Sequence, residues 1–175
     1  SKGLEVAETP KGLPFWKDVD YELDLMVSDP FTEAPKWSKA GVGRMILHWK
    51  TISDGEYESL ISELKDFGIE VGVALLPNEN YTEIEHILDK IDFVQFMGIQ
   101  KVGFQNQEFV VEVLNNIKDF HDKYPEKIIS VDGGVDLSTA GKLVDVGVSR
   151  LVSGSFIFEG VPEDNIKDME DFLAH

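Results

Sequence analysis

Short apolar runs alternate with amphipathic segments along this chain of 175 residues, and this alternation limits the folds available to it. The runs are rich in β-branched and aromatic residues and most are flanked by Gly, Pro or Asp, which predicts strands. They span 21–27, 44–49, 70–76, 92–98, 127–133 and 149–155. Helical spacing or helix start and stop residues mark the stretches 54–68, 105–124 and 136–147. Strands and helices that alternate every 20 to 30 residues or so are typical of a parallel α/β sheet.

Two architectures share this alternation, the (β/α)8 barrel and the open doubly wound sheet. Polar residues interrupt the predicted strands at alternate positions, which suits a barrel with a polar mouth, and no GxGxxG follows the first strand. These residues are Glu22, Asp24, Gln95, Ser130 and Asp132. The pattern therefore favours an α/β TIM barrel, but six strands are visible where eight are needed. We predict a single domain over 1–175, an incomplete or divergent barrel.

Composition excludes several classes of partner. The formal net charge of −17 opposes binding to nucleic acids and to anionic membranes. No apolar run approaches the ~20 residues that span a bilayer. The absence of cysteine removes disulfides, thiolate chemistry and Cys-based zinc sites, and it fits a cytoplasmic protein. An anionic substrate would need a local positive field, such as backbone N–H groups at the start of a helix.

Asp132 ends a predicted strand and is followed by Gly133 and Gly134. In a barrel this end of the strand is the catalytic face, where a carboxylate can act as a general acid and base or as a metal ligand. Glycines at this point allow a close approach to the backbone. Asp-Gly is also a common turn dipeptide, so position alone leaves both interpretations open.

Four further residues are candidates. Gly154 and Ser155 lie between a strand and an apolar, helical segment, where free N–H groups can bind phosphate, although a capped turn explains them equally well. Asp24 points into the predicted interior, where its carboxylate needs a metal, a cation or a hydrogen-bond donor as partner, and the alternative is a rim residue in water. His48 can be a ligand or a proton carrier, but a hydrogen-bonded core or rim residue is the more usual case.

Taken in order, six segments resemble ribulose-phosphate 3-epimerases, from Glu22 to about Phe158. "ELDLMVSDP", "AGVGRMILHW" and "GVALLP" are similar to the third, fourth and fifth strands of that family. "FMGIQKVGFQNQEF" resembles its Met-x-Val-x-Pro-Gly-Phe-Gly-Gly-Gln-x-Phe stretch, and "ISVDGGV" and "LVSGSFIF" resemble its last two strands.

The resemblance implies a phosphate-binding (β/α)8 barrel that inverts C3 of D-ribulose 5-phosphate through a metal-stabilised enediolate. Asp132 would be one acid/base and a metal ligand, and Asp24 a second ligand. By the same resemblance, Met26 and Met97 would line the site of the enediolate. Gly133 and Gly134 would turn the chain beneath the phosphate, and Gly134, Gly154 and Ser155 would bind it through their backbone N–H groups. Gly103 and Phe104 would belong to the loop that covers the substrate. The resemblance also implies a homo-oligomer and a divalent metal ion, zinc in the family and Mg²⁺, Mn²⁺ or Fe²⁺ as alternatives here.

The sequence departs from the family pattern in three places. Residues 1–20 contain no His-x-Asp-x-Met-Asp-Gly pattern, which in the family carries the second catalytic Asp and a metal His. Asp24 stands where the family has its other metal His, and the loop over 99–107 lacks the family's Pro and Gly-Gly. Three interpretations follow: a fragment without the first two strands, a divergent epimerase or decarboxylase for another sugar phosphate, or a sugar-phosphate-binding protein that has lost catalysis.

Overall fold

The computed structural model describes residue 10 and residues 18–104 and 107–174, and in these ranges the predicted alternation of strands and helices is confirmed. Each predicted apolar run contains a strand, usually one or two residues shorter at each end. The strands are β1 (Glu22–Leu25), β2 (Arg44–His48), β3 (Glu70–Leu75), β4 (Phe93–Met97), β5 (Ile128–Asp132) and β6 (Arg150–Val152).

Helices occupy the segments between the strands. They are α1 (Pro30–Ser38), α2 (Asp54–Asp66), a 3-10 helix (Tyr81–Ile87), α3 (Val113–Lys123), α4 (Leu137–Asp145), α5 (Ser155–Phe158) and α6 (Pro162–Leu173). The sequence patterns did not predict α1, which has a proline at its start and another at Pro35, inside the helix. Asp29 begins α1 by accepting a hydrogen bond from the Thr32 N–H at 3.1 Å.

The predicted helical stretch 105–124 is wrong at its start. Within it, α3 begins only at Val113, because the preceding chain follows a different path. The Val110 N–H donates to the Gly98 carbonyl oxygen at 2.9 Å, so this segment bonds to the chain after β4 rather than to its own next turn. Val113, Ile117 and Phe120 are buried on one face of α3 as predicted, while Phe109 lies outside the helix.

The described chain divides into two compact units. In the first unit, which holds the described residues up to Ala74 and His86–Asp92, β1, β2 and β3 are parallel and lie in chain order. The predicted apolar stripe of α2 is buried here, and its residues are Tyr57, Leu60, Ile61 and Leu64. The prediction of a single domain over the whole chain stays a prediction.

The second unit comprises Leu75–Glu85 and the described residues from Phe93 onwards. Its strands β4, β5 and β6 are also parallel and in chain order. Aromatic rings fill much of its core: Phe96 and Phe120 meet with ring centroids 5.6 Å apart, and Tyr81 packs edge-on against Phe120 at 5.3 Å. Because all three strands run the same way, their carboxyl ends lie along one edge.

Within the described residues, no helix combines the length and the apolar character needed to cross a membrane.

Candidate functional site

The carboxyl ends of β4 and β5 place Met97 beside Asp132. The two residues are paired in the register of the parallel strands, and each is the last residue of its strand. The Gly98 N–H donates to the Asp132 carbonyl oxygen at 2.7 Å, which extends the pairing by one residue. The Met97 side chain is buried and Asp132 is half-buried. A thioether and a carboxylate therefore lie at the same level of neighbouring strands.

Close packing explains the two glycines after Asp132. Gly133 and Gly134 have φ values of +97° and +67°, the left-handed region that disfavours other residues. A Cβ at Gly133 would lie 2.6 Å from Ile99 Cγ1, and one at Gly134 would lie 2.9 Å from Phe109 Cβ. The atoms that approach these two glycines belong to Ile99 and Phe109 of this protein, and the predicted approach of a substrate or metal to their backbone stays a prediction.

Gly98 is a third glycine in this arrangement, and the sequence patterns did not single it out. A Cβ at Gly98 would overlap the Gly133 carbonyl oxygen and approach the Phe109 ring at 2.9 Å. Phe109 thus packs against both Gly98 and Gly134. The sequence offered one indication of this close packing, namely the position of Gly98 directly after a predicted strand.

The loops after β5 and β6 are joined by one hydrogen bond. The Ser153 hydroxyl donates to the Val135 carbonyl oxygen at 2.7 Å, so the Gly134–Val135 turn and the Ser153–Gly154 turn lie side by side. Gly154 precedes α5, whose first residue is Ser155. Among the described residues, a Cβ built on Gly154 meets no atom within 4 Å, so no described part of the chain fills the space in front of this turn. Three predicted phosphate-binding residues, Gly134, Gly154 and Ser155, are therefore brought to adjacent loops of one unit.

Asp136 is the N-cap of helix α4, which starts directly after this site. Its Oδ1 accepts hydrogen bonds from the Ser138 N–H at 2.7 Å and the Thr139 N–H at 3.1 Å. Burial alone would raise the pKa of Asp136, but these bonds together with the Ser138 hydroxyl hold the pKa below its ordinary value of 3.8. The carboxylate is therefore a charged cap that fixes where the glycine turn ends.

The segment after β4 carries the predicted covering residues Gly103 and Phe104, which are exposed, Phe104 to 67%. The Gln107 carboxamide closes this segment: its Oε1 accepts from the Lys101 N–H at 3.1 Å, and its Nε2 donates to the Lys101 and Phe104 carbonyl oxygens at 2.5 and 2.8 Å. Residues 105 and 106 of the predicted loop lie outside the described residues.

In the first unit, Asp24 has the partner that the sequence predicted it would need. His48 Nε2 lies 2.6 Å from Asp24 Oδ1, and both residues are near the carboxyl ends of their strands. His48 is only 7% exposed, so the expectation of a hydrogen-bonded core residue is confirmed. Met26 follows β1 and is 47% exposed.

The predicted site residues thus fall into both units. Asp24 and Met26 belong to the first, while Asp132, Met97 and the glycine and serine positions belong to the second. Across the described parts of the chain, no group of three or more His, Cys, Asp and Glu side chains is arranged to hold a metal ion. The described side chains therefore do not by themselves complete the predicted metal site.

Comparison with known proteins identifies the family to which this chain is similar. Residues 5–158 match the model of the ribulose-phosphate 3 epimerase family. The chain is 33% identical to the ribulose-phosphate 3-epimerase of Buchnera aphidicola over 178 residues, covering 99% of this chain and 77% of that protein. It is 32% identical to the Bacillus subtilis enzyme and 31% identical to the chloroplastic Arabidopsis thaliana enzyme, in each case over 81% of this chain. It spans 51% of the length of the Arabidopsis protein and 66% of that of the Bacillus protein.

Solved structures confirm the TIM-barrel type of fold. KGPDC from Streptococcus mutans, determined in complex with a sugar phosphate, matches with a TM-score of 0.70 at 20% identity, covering 90% of this chain and 73% of that one. A 3-hexulose-6-phosphate synthase matches with a TM-score of 0.62 at 19% identity, covering 77% of this chain and 63% of that one. The family match over residues 5–158, together with the identity to the Buchnera enzyme, shows that this chain belongs to the ribulose-phosphate 3-epimerase family.

Proposed function

We propose that this protein is a ketose-phosphate 3-epimerase that interconverts D-ribulose 5-phosphate and D-xylulose 5-phosphate. The observation that carries the proposal is the position of Asp132 at the end of β5, between Met97 on the neighbouring strand and the Gly133–Gly134 turn. Membership of the family supports the choice of reaction. The open space in front of Gly154 supports a site for the phosphate group.

In the proposed reaction, the Asp132 carboxylate removes the proton from C3 of the ketose phosphate. The electrons of the broken C3–H bond form the C2–C3 double bond, and the C2 carbonyl oxygen takes the negative charge of the enediolate. Return of a proton to the same face regenerates the substrate, while return to the opposite face from a second acid gives the epimer. The resemblance assigns that second acid to an Asp that this sequence does not match, so exchange on one face is the step assigned to Asp132.

The phosphate is proposed to bind at the paired loops after β5 and β6. Backbone N–H groups near Gly134, Gly154 and Ser155 would provide the local positive field that a chain with a net charge of −17 needs for an anionic substrate. The apolar thioether of Met97 has no exchangeable proton and lies beside the base. It would exclude water from that side of the enediolate.

A divalent metal ion, with Asp132 and Asp24 as ligands, remains a proposal that rests on the resemblance. When bound, such an ion would stabilise the negative oxygen of the enediolate. Since the described side chains do not complete a site for it, no step above depends on a metal. A homo-oligomer and a cytoplasmic location are proposed on the same basis, the second also because the sequence has no cysteine.

The test is exchange of the C3 proton of D-ribulose 5-phosphate in D₂O, followed by NMR with and without added divalent metal ions. We expect exchange in the wild type and none in Asp132→Asn, which keeps the size of the side chain but removes its basicity. Absence of exchange in the wild type under every metal condition would refute the proposal.

Calorimetry with the sugar phosphate distinguishes an enzyme from a protein that only binds. Asp132→Asn should still bind, whereas Gly154→Leu should bind more weakly because the new side chain fills the open space that we assign to the phosphate. Binding by a wild type that exchanges no proton would identify a sugar-phosphate-binding protein instead.

A further inference from the structure

A buried chain of polar contacts lies one layer below Met97 and Asp132. Gln95 on β4 and Ser130 on β5 are register partners, and each is 1% exposed. The Ser130 hydroxyl donates to Gln95 Oε1 at 3.3 Å, and Gln95 Nε2 donates to the Met97 sulfur at 3.6 Å. The carboxamide therefore links the hydroxyl of one strand to the thioether at the end of the other.

The periodicity of the strands places this chain of contacts directly beneath the candidate site. Side chains two residues apart on a strand point to the same face, so Gln95 and Met97 share one face of β4, and Ser130 and Asp132 share one face of β5. Met97 and Asp132 form the last layer before the strands end. Gln95 and Ser130 form the layer below it.

Burial of an amide and a hydroxyl at this depth costs free energy unless both groups are hydrogen-bonded. Apolar side chains would fill the same volume with no such requirement. What the carboxamide adds is a directed contact with a methionine. Methionine has three rotatable bonds and a soft thioether that adapts to many shapes, so it does not hold one position by itself.

We propose that Gln95 is a positioning residue, which holds the Met97 thioether in one orientation beside the Asp132 carboxylate. This inference rests on the proposed function, and it adds a residue that acts on the reaction through Met97. With the thioether fixed, the wall beside the enediolate is rigid and dry. Without the carboxamide, the thioether samples other rotamers, and the reacting carbon is held less accurately against the base.

The expected kinetic effect falls on turnover, because the described contacts of Gln95 run to Met97 and Ser130, which lie on the strands and not on the loops assigned to the phosphate. For exchange of the C3 proton of D-ribulose 5-phosphate, we expect Gln95→Leu to lower kcat about tenfold, because catalysis is sensitive to small displacements. The KM for the sugar phosphate should stay within about twofold. The double variant Gln95→Leu/Ser130→Ala should behave in the same way. It leaves no buried hydroxyl without its partner, so a general loss of stability does not explain its effect.

A spectroscopic test reads the orientation of Met97 without depending on activity. The sequence contains four methionines, so protein labelled with ¹³C at the methionine methyl groups should give four signals, and Met97→Leu assigns one of them. We expect the Met97 signal to move in Gln95→Leu and in the double variant. The signals of Met45 and Met169, which lie outside this contact, should stay in place and report that the protein is folded.

The outcomes separate the two proposals. A Met97 signal that stays in place in Gln95→Leu would overturn the inference whatever the activity. A signal that moves while kcat is unchanged would also overturn it, since Met97 would then be held without consequence for the reaction. A wild type that exchanges no proton refutes the proposed function and, with it, the kinetic part of the inference. In that case the methyl spectrum still tests whether Gln95 orients the Met97 thioether.

Discussion

Replacement of Gly134 by alanine tests whether the turn after Asp132 is built by packing. The new Cβ would lie 2.9 Å from Phe109 Cβ and 3.0 Å from Phe109 Cα. Because the second of these atoms belongs to the backbone, a change of rotamer at Phe109 cannot relieve the contact. The substitution also forces a residue with a side chain into a φ of +67°.

Two terms set the size of the effect. An L-residue with a side chain costs roughly 1–2 kcal/mol in the left-handed region. Inserting a methyl group into a packed contact costs about 1–3 kcal/mol more. We therefore expect Gly134→Ala to lower the free energy of unfolding by about 3 kcal/mol, a large part of the ~5–15 kcal/mol that stabilises a typical domain.

Gly68→Ala is the matched control. Gly68 also has a positive φ, of +76°, but a Cβ there meets no atom of the described residues within 4 Å. Its cost should be the backbone term alone, about 1 kcal/mol. Urea unfolding of the wild type and both variants, followed by circular dichroism, gives the two differences. Equal destabilisation by the two substitutions would refute the packing explanation of the Gly134 turn.

Two further predictions concern the cap of α4 and the metal. Asp136→Ala should cost about 1 kcal/mol near neutral pH through loss of the N-cap. Because the pKa of Asp136 is lower in the folded protein than its ordinary value of 3.8, this stabilisation is complete above that value and is lost as the pH falls through the folded pKa. The difference in urea midpoint between wild type and variant should therefore shrink as the pH falls below about 4, and a difference that does not shrink as the pH falls would contradict this role of the charge. Elemental analysis of the purified protein should find a divalent ion that is reduced in Asp24→Ala; a wild type without any bound divalent ion removes the ligand role proposed for Asp24.

Local signals in the sequence were enough to predict much of the fold. Strand positions followed from short apolar runs, and the stop of α2 followed from Gly68, because both depend on neighbouring residues only. The helical stretch before Val113 was predicted wrongly for the opposite reason. Its residues have helical spacing, but the Val110 N–H bonds to Gly98, twelve positions earlier in the chain, and this overrides the local pattern.

The sequence by itself determined that Asp132 ends a strand of a parallel α/β fold, since that position depends on local periodicity and on the glycines that follow. It also favoured a partner for Asp24, because a carboxylate that points into the interior must be compensated. Only the tertiary structure decided that this partner is His48, 24 residues away, and that Ser130 bonds to Gln95, 35 residues away. Such contacts depend on which strands pair and in which register, and a shift of one residue would turn each side chain to the other face of the sheet.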